Sequence, residues 1–143
     1  MVGDQDAIFE ESLQCLRFHC QPKWGDRSPL DVFNRLLAKN IKPDGWIDNT
    51  HLNIPRHQVQ SRREHWTTDR LGQLRRGHNR TQPKNFNCPI IIAEYEGMQR
   101  LLDGTTRINH WIAIGNTREH DVNIHTITGS GKFVELPSVL RGI

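Results

Sequence analysis

The sequence predicts an α+β domain in which helices pack on a small mixed β-sheet, behind a helical N-terminal segment. Three observations predict it. Cys88-Pro-Ile-Ile-Ile-Ala-Glu-Tyr is a short run dense in β-branched residues, the composition of a buried strand. Leu30, Phe33, Leu36 and Leu37, and later Ile108, Trp111, Ile112 and Ile114, recur at helical spacing. Val122, Ile124, Thr126 and Thr128 alternate with polar residues, the period of a half-buried strand. A chain of 143 residues suits one domain with a real core. Only 35% of it is apolar, which implies a modest core and long polar connections.

Met1 to Asp6 is expected to fray. Phe9, Leu13 and Leu16 predict a short helix over Ile8 to Phe18. Ser28 is a good N-cap, Pro29 suits the first helical position, and Asp31 sits where a helix dipole favours an acid. A second helix therefore runs to about Lys39-Asn40. Pro43-Asp44-Gly45 marks a turn, and Trp46 to Ile54 reads as extended. Thr67 or Thr68 caps a helix expected to reach Arg76, anchored by Leu71 and Leu74 and stopped by Gly77. His78 to Asn87 reads as a surface loop. Glu96-Gly97 turns the Cys88 strand back into Met98 to Asp103 as a hairpin. Gly115-Asn116 ends the next helix, and the tail from Gly129 is expected to be loop with a short helix after Pro137.

Net charge is +3, and its distribution matters more than its size. Arg56, Arg62, Arg63, Arg70, Arg75, Arg76, Arg80 and Lys84 face only Glu64 and Asp69. Such a block attracts polyanions, and His57, His65, His78 and Trp66 within it suit a phosphate-contacting surface. Its plain alternative is a solvated face. No run of about 18 apolar residues exists to span a membrane. Met1 to Glu10 lacks the basic flank and apolar stretch of a secretory signal. Cys15, Cys20 and Cys88 are an odd count without framework spacing, so a reduced, cytoplasmic protein is expected.

Leu101-Leu102-Asp103-Gly104-Thr105-Thr106-Arg107 carries the most chemistry. A strand ends and a helix begins there, and helix starts present unpaired N–H groups to anions. Gly104 permits a close approach and a positive φ. Thr105 and Thr106 add hydroxyls, and Arg107 adds a planar fork suited to phosphate oxygens. Asp103 would hold a metal, orient Arg107 or cap the helix. A capped turn with an incidental arginine explains the same residues about equally well, because short Gly-containing loops are weak signals. Glu94 and Glu96 point to one side of a strand, and with Asp103 would bind a divalent cation, although an exposed acidic strand end is the commoner outcome. His110 lies one turn after Arg107 and would line the same pocket or pack inside. Gly129-Ser130-Gly131-Lys132 lacks the spacing of a phosphate loop and is followed by Phe133. No cysteine pair has zinc spacing.

The order of the Pro-Ile-Ile-Ile strand, the Leu-Leu-Asp-Gly-Thr-Thr-Arg turn, a helix ending at Gly115 and the strand from Val122 resembles the core of the ParB/sulfiredoxin-like superfamily. Gly104 and Arg107 fall on the Gly and Arg of that family's turn. The resemblance spans residues 53–128, with 1–50 as a helical extension and 129–143 as a tail. It implies nucleotide or phosphate binding by Gly104, Thr105, Thr106, Arg107 and His110. ATP or CTP and Mg²⁺ or Mn²⁺ are the implied cofactors. The ParB-like nuclease members imply hydrolase chemistry carried by Asp103, Arg107 and Glu94, with Asp103 and Glu94 on the metal. Thr105 stands where sulfiredoxins carry their nucleophilic cysteine, so sulfinic acid reduction is not expected. Thr106 replaces the second arginine of chromosome-partitioning members, and their helix-turn-helix domain and clamp function are not expected.

The expected function is thus that of a stand-alone ParB-like protein, a nuclease or nucleotide hydrolase, with Arg62, Arg63, Arg75 and Arg76 extending a nucleic-acid surface for DNA. The alternative is a non-enzymatic DNA- or protein-binding factor that uses the basic 56–84 segment. Either reading is compatible with a homodimer.

Overall fold

Helix α1 (Val2–Trp24) is longer at both ends than its apolar spacing implies. Tertiary bonds explain the early start: the Ser61 N–H donates to Gln5 Oε1 at 3.0 Å and Arg56 pairs with Asp6 at 2.7 Å. The computed structural model describes residues 2–24, 28–41, 50–52, 54–75, 79–83, 87–128 and 133–135. The expected turn at Pro43-Asp44-Gly45, the stop at Gly77 and the helix after Pro137 lie outside them. Helix α2 (Pro29–Ile41) begins as expected, with the Asp31 N–H donating to Ser28 Oγ at 3.2 Å.

The main sheet contains β2 (Val59–Thr67), β3 (Ile90–Tyr95), β4 (Met98–Asp103) and β5 (Glu119–Ile127), in the order β2-β5-β3-β4. β5 runs antiparallel to β2 and parallel to β3, while β3 and β4 form the expected hairpin. The sheet is therefore mixed and the fold α+β. Two short strands, β1 (Thr50–Leu52) and β6 (Phe133–Glu135), pair separately. Strand β2 departs from the sequence reading, which saw only irregular basic chain before Thr67. Its inward positions include Val59, Ser61 and Trp66, with Arg62 and Arg63 exposed between them, so no apolar alternation marks it. Helix α3 (Thr68–Gly72) is capped by Thr67 but stops well short of Arg76. Helix α4 (Thr105–Ala113) ends in the turn to Gly115.

Two apolar clusters lie on opposite faces of the sheet. Ile91, Ala93, Tyr95 and Ile127 meet Phe9, Leu13, Leu16, Phe33 and Leu37 from α1 and α2. Ile90, Ile92, Val122 and Ile124 meet Trp66, Leu71 and Ile108 on the α3 and α4 side. The alternation along β3 sends adjacent isoleucines to opposite layers. This sandwich fixes both ends of the Asp103–Arg107 turn, since β4 and α4 flank it.

Candidate phosphate-binding turn

Gly104 has φ of +129° and opens α4. A Cβ at this position would sit 2.4 Å from Ile90 Cδ1, so glycine is required by both conformation and space. The first helical bond is Ile108 N–H to Gly104 O at 3.0 Å, and no side chain caps the start. The preceding N–H groups of the first turn therefore lack helical acceptors. Thr105 and Thr106 are half-buried at this start.

Arg107 departs from the expected open fork. It is 3% exposed. Nη2 donates to Asp103 Oδ2 at 3.0 Å, and Nη1 donates to the Pro89 carbonyl at 3.1 Å and to the Cys88 carbonyl. Burial pulls its pKa down, and Asp103 partly opposes this. A guanidinium presents five donors in a fixed fork, and the fold directs this fork to the chain's own oxygens. The expectation that Arg107 reaches directly for a ligand phosphate is corrected accordingly: the side chain braces the turn against the start of β3.

Asp103 is shared. His19 Nδ1 lies 2.6 Å from the same Oδ2 that Arg107 grips, so α1 closes the corner from the opposite side. Asp103 Oδ2 thus contacts both His19 and Arg107. Glu94 lies elsewhere. Asp103 registers with Ile91, and Glu94 lies three steps further along the strand, about 10 Å of rise. Glu94 accepts from Arg62 Nη1 at 2.9 Å, Thr126 Oγ1 at 2.6 Å and Gln99 Nε2 at 2.7 Å. Arg62 foremost holds its carboxyl down at about 2. The turn and Glu94 are thus not brought together on one ion. Among the described residues, no three His, Cys, Asp or Glu side chains converge as a metal site. Glu94 and Glu96 instead line a cleft of about 660 Å³ with Leu74, Gln99 and Thr126.

The basic block is largely answered within the fold. Arg62 pairs with Glu64 and Glu94, and Arg63 with Glu11 and Asp121. Arg75 Nη1 donates to Asn109 Oδ1 at 2.8 Å, while Asn109 donates to the Arg80 carbonyl. His110 Nδ1 lies 3.1 Å from the Thr81 carbonyl. These bonds tie residues 79–83 to α4, so His110 and Arg75 serve that loop. Arg76 lies outside the described residues. Arg70 differs, lying over the Trp66 ring at 3.6 Å on an exposed surface, a cation–π contact.

Sequence reasoning missed the groups that complete the corner. Cys15 and Cys88 form a disulfide, with Cα atoms 6.1 Å apart and a sequence separation of 73. The expectation of reduced cysteines is corrected by this bond, which no local spacing announces. His19 is 84 residues from Asp103 and carried no signal. Among the described residues no helix is long and apolar enough to cross a membrane. The chain matches no family model, no curated protein and no solved structure.

Proposed function

We propose that this chain is a phosphate-binding domain that holds a nucleotide at the start of α4. Its donors are the first-turn N–H groups and the hydroxyls of Thr105 and Thr106. One observation carries the reading: the start of α4, without a side-chain cap, lies behind a glycine whose positive φ would strain any other residue. Helix starts of this form favour anions through both their free N–H groups and the dipole. The ParB-like core expected for the same segment belongs to this proposal, with β3, β4, the Gly104 turn, α4 and β5 following one another in the chain. Arg107 acts as a brace, which keeps the turn rigid without touching the ligand.

Binding without catalysis is the reading the geometry favours. Asp103 is engaged by His19 and Arg107, and Glu94 by Arg62, so among the described residues no unengaged carboxylate is found at the turn to serve as a general base or metal ligand. Nucleotide binding has more support than DNA binding through residues 56–84, because Arg62 and Arg63 already face internal carboxylates. Thr106→Glu gives a test that spares the fold, since an acid in the first turn suits the helix dipole yet repels an anion. A thermal-shift series with ATP, CTP, GTP and ADP is expected to raise the melting temperature of the wild type and leave Thr106→Glu unmoved. Equal shifts in both proteins, or a salt-sensitive DNA complex with no nucleotide response, contradict the proposal.

A further inference from the structure

We propose that Cys15–Cys88 is a redox-active disulfide that exchanges with an external thiol, with His19 moving the proton to and from the Cys15 sulfur. This inference is independent of phosphate binding at α4. Three observations meet at one corner. The disulfide joins α1 to the segment just before β3. His19 lies four residues after Cys15 on α1, which puts the two side chains on one helix face with Cβ atoms about 5–6 Å apart. Asp103 Oδ2 lies 2.6 Å from His19 Nδ1, which orients the ring and leaves Nε2 as the nitrogen for the sulfur. A disulfide with a histidine one turn away and a carboxylate behind that histidine has the parts of an exchange site. A disulfide that only staples the chain needs neither partner.

Exposure assigns the two sulfurs different roles. Cys15 is 7% exposed, whereas Cys88 is only half-buried, so Cys88 is the more open residue of the two and the incoming thiolate is assigned to it. It bonds to Cys88 Sγ, and the Cys15–Cys88 bond breaks with its electron pair leaving on Cys15 Sγ. That sulfur takes a proton from His19, which regains one from the solvent. A second thiolate then attacks the external sulfur of the mixed disulfide and releases Cys88. Two external thiols are oxidised to one disulfide while the protein's disulfide is reduced to two thiols. In reverse, the Cys88 thiolate attacks an external disulfide and releases one external thiolate, His19 takes the Cys15 proton, and the Cys15 thiolate attacks Cys88 Sγ to close the bond and expel the second external thiolate. Phe18, 58% exposed and with its ring 5.4 Å from that of His19, gives a thiol-bearing partner an apolar foothold beside the bond.

The layout of contacts explains how the bond can open without unfolding the molecule. The first half of α1 is held by Phe9, Leu13 and a buried polar network through Ser12. Leu16 adds a fully buried anchor beside the disulfide, and none of these contacts depends on the Cys15–Cys88 bond, so exchange there leaves the main packing in place.

The test uses the oxidised full chain carrying Cys20→Ser, so that only one cysteine pair reacts. Reduced glutathione or dithiothreitol is added, the reaction is quenched by alkylation, and the free thiols are counted over time at pH 6 to 9 and at several sub-denaturing urea concentrations. The expected result is opening whose rate is independent of urea, at least about tenfold slower in His19→Gln, with a pH profile altered by that substitution. Faster reaction with glutathione identifies a monothiol as the preferred substrate class, and faster reaction with dithiothreitol a dithiol. Opening that accelerates with urea in the wild type, or equal rates and pH profiles in a folded His19→Gln, overturns the proposal. The urea dependence of the wild type decides the matter should the variant fail to fold.

Discussion

At the scale of single residues, Arg107 shows why side-chain chemistry alone misleads. A glycine turn followed by an arginine reads as a phosphate clamp, and the type of residue was legible in the sequence. What was not legible is that the carbonyls of Cys88 and Pro89 lie within its reach, because 18 residues or more separate them along the chain. Removing one partner of a buried ion pair leaves the other charge unanswered. Arg107→Ala is therefore expected to destabilise the fold by about 3 kcal/mol, read as a lowered urea midpoint. A variant that loses nucleotide binding but keeps wild-type stability would contradict the bracing role. The consequence for activity assays is direct: loss of function in Arg107→Ala does not by itself identify a ligand contact.

At the scale of elements, polar side chains join what local pattern cannot. Asn34 on α2 is buried, accepts from the Ile54 N–H at 2.9 Å and donates to the Ile54 carbonyl at 3.3 Å. It thereby completes the backbone bonding of a residue outside any strand. Asn34→Ala leaves both groups unsatisfied and is expected to cost about 1–3 kcal/mol; a change below about 0.5 kcal/mol in a urea titration would show that water replaces the bonds. The elements that were legible are those with self-contained signals. The Ser28 cap with Pro29 marked α2, the β-branched run marked β3, and the Val122 alternation marked β5. Strand β2 was not legible because its few buried positions are split between faces, Val59 and Ser61 on one and Trp66 on the other, with Ser61 polar. Its partner β5 supplies the missing context through His125, whose Nδ1 lies 2.7 Å from Ser61 Oγ.

At the scale of the whole molecule, α1 is joined to the sheet by a buried polar network as well as by apolar packing. His125 lies between Ser12 and Ser61, and Asn123 donates to Ser12 and Glu11. Burial pushes the His125 pKa down to about 3, so the folded ring is neutral where the unfolded ring, near 6.5, takes up a proton. The fold therefore has its full stability above pH 6.5 and loses it as pH falls, by up to about 1.4 kcal/mol per unit. Glu94, held at about 2 by Arg62, adds a loss in the same direction below the ordinary carboxylate range. Urea midpoints at pH 7 and pH 5 are expected to differ clearly in the wild type and less in His125→Gln; identical slopes would contradict the buried neutral ring. This network and the Cys15–Cys88 bond are long-range in sequence, which is why the α+β class was readable and the corner around Asp103 was not. The most direct test of the central claim is an amide chemical-shift titration of the folded chain with ATP. The account predicts that the Thr105 and Thr106 amide signals move first and saturate together, while those of β2 stay in place. Saturating shifts confined to β2 and residues 79–83, with the α4 start unmoved, would contradict it.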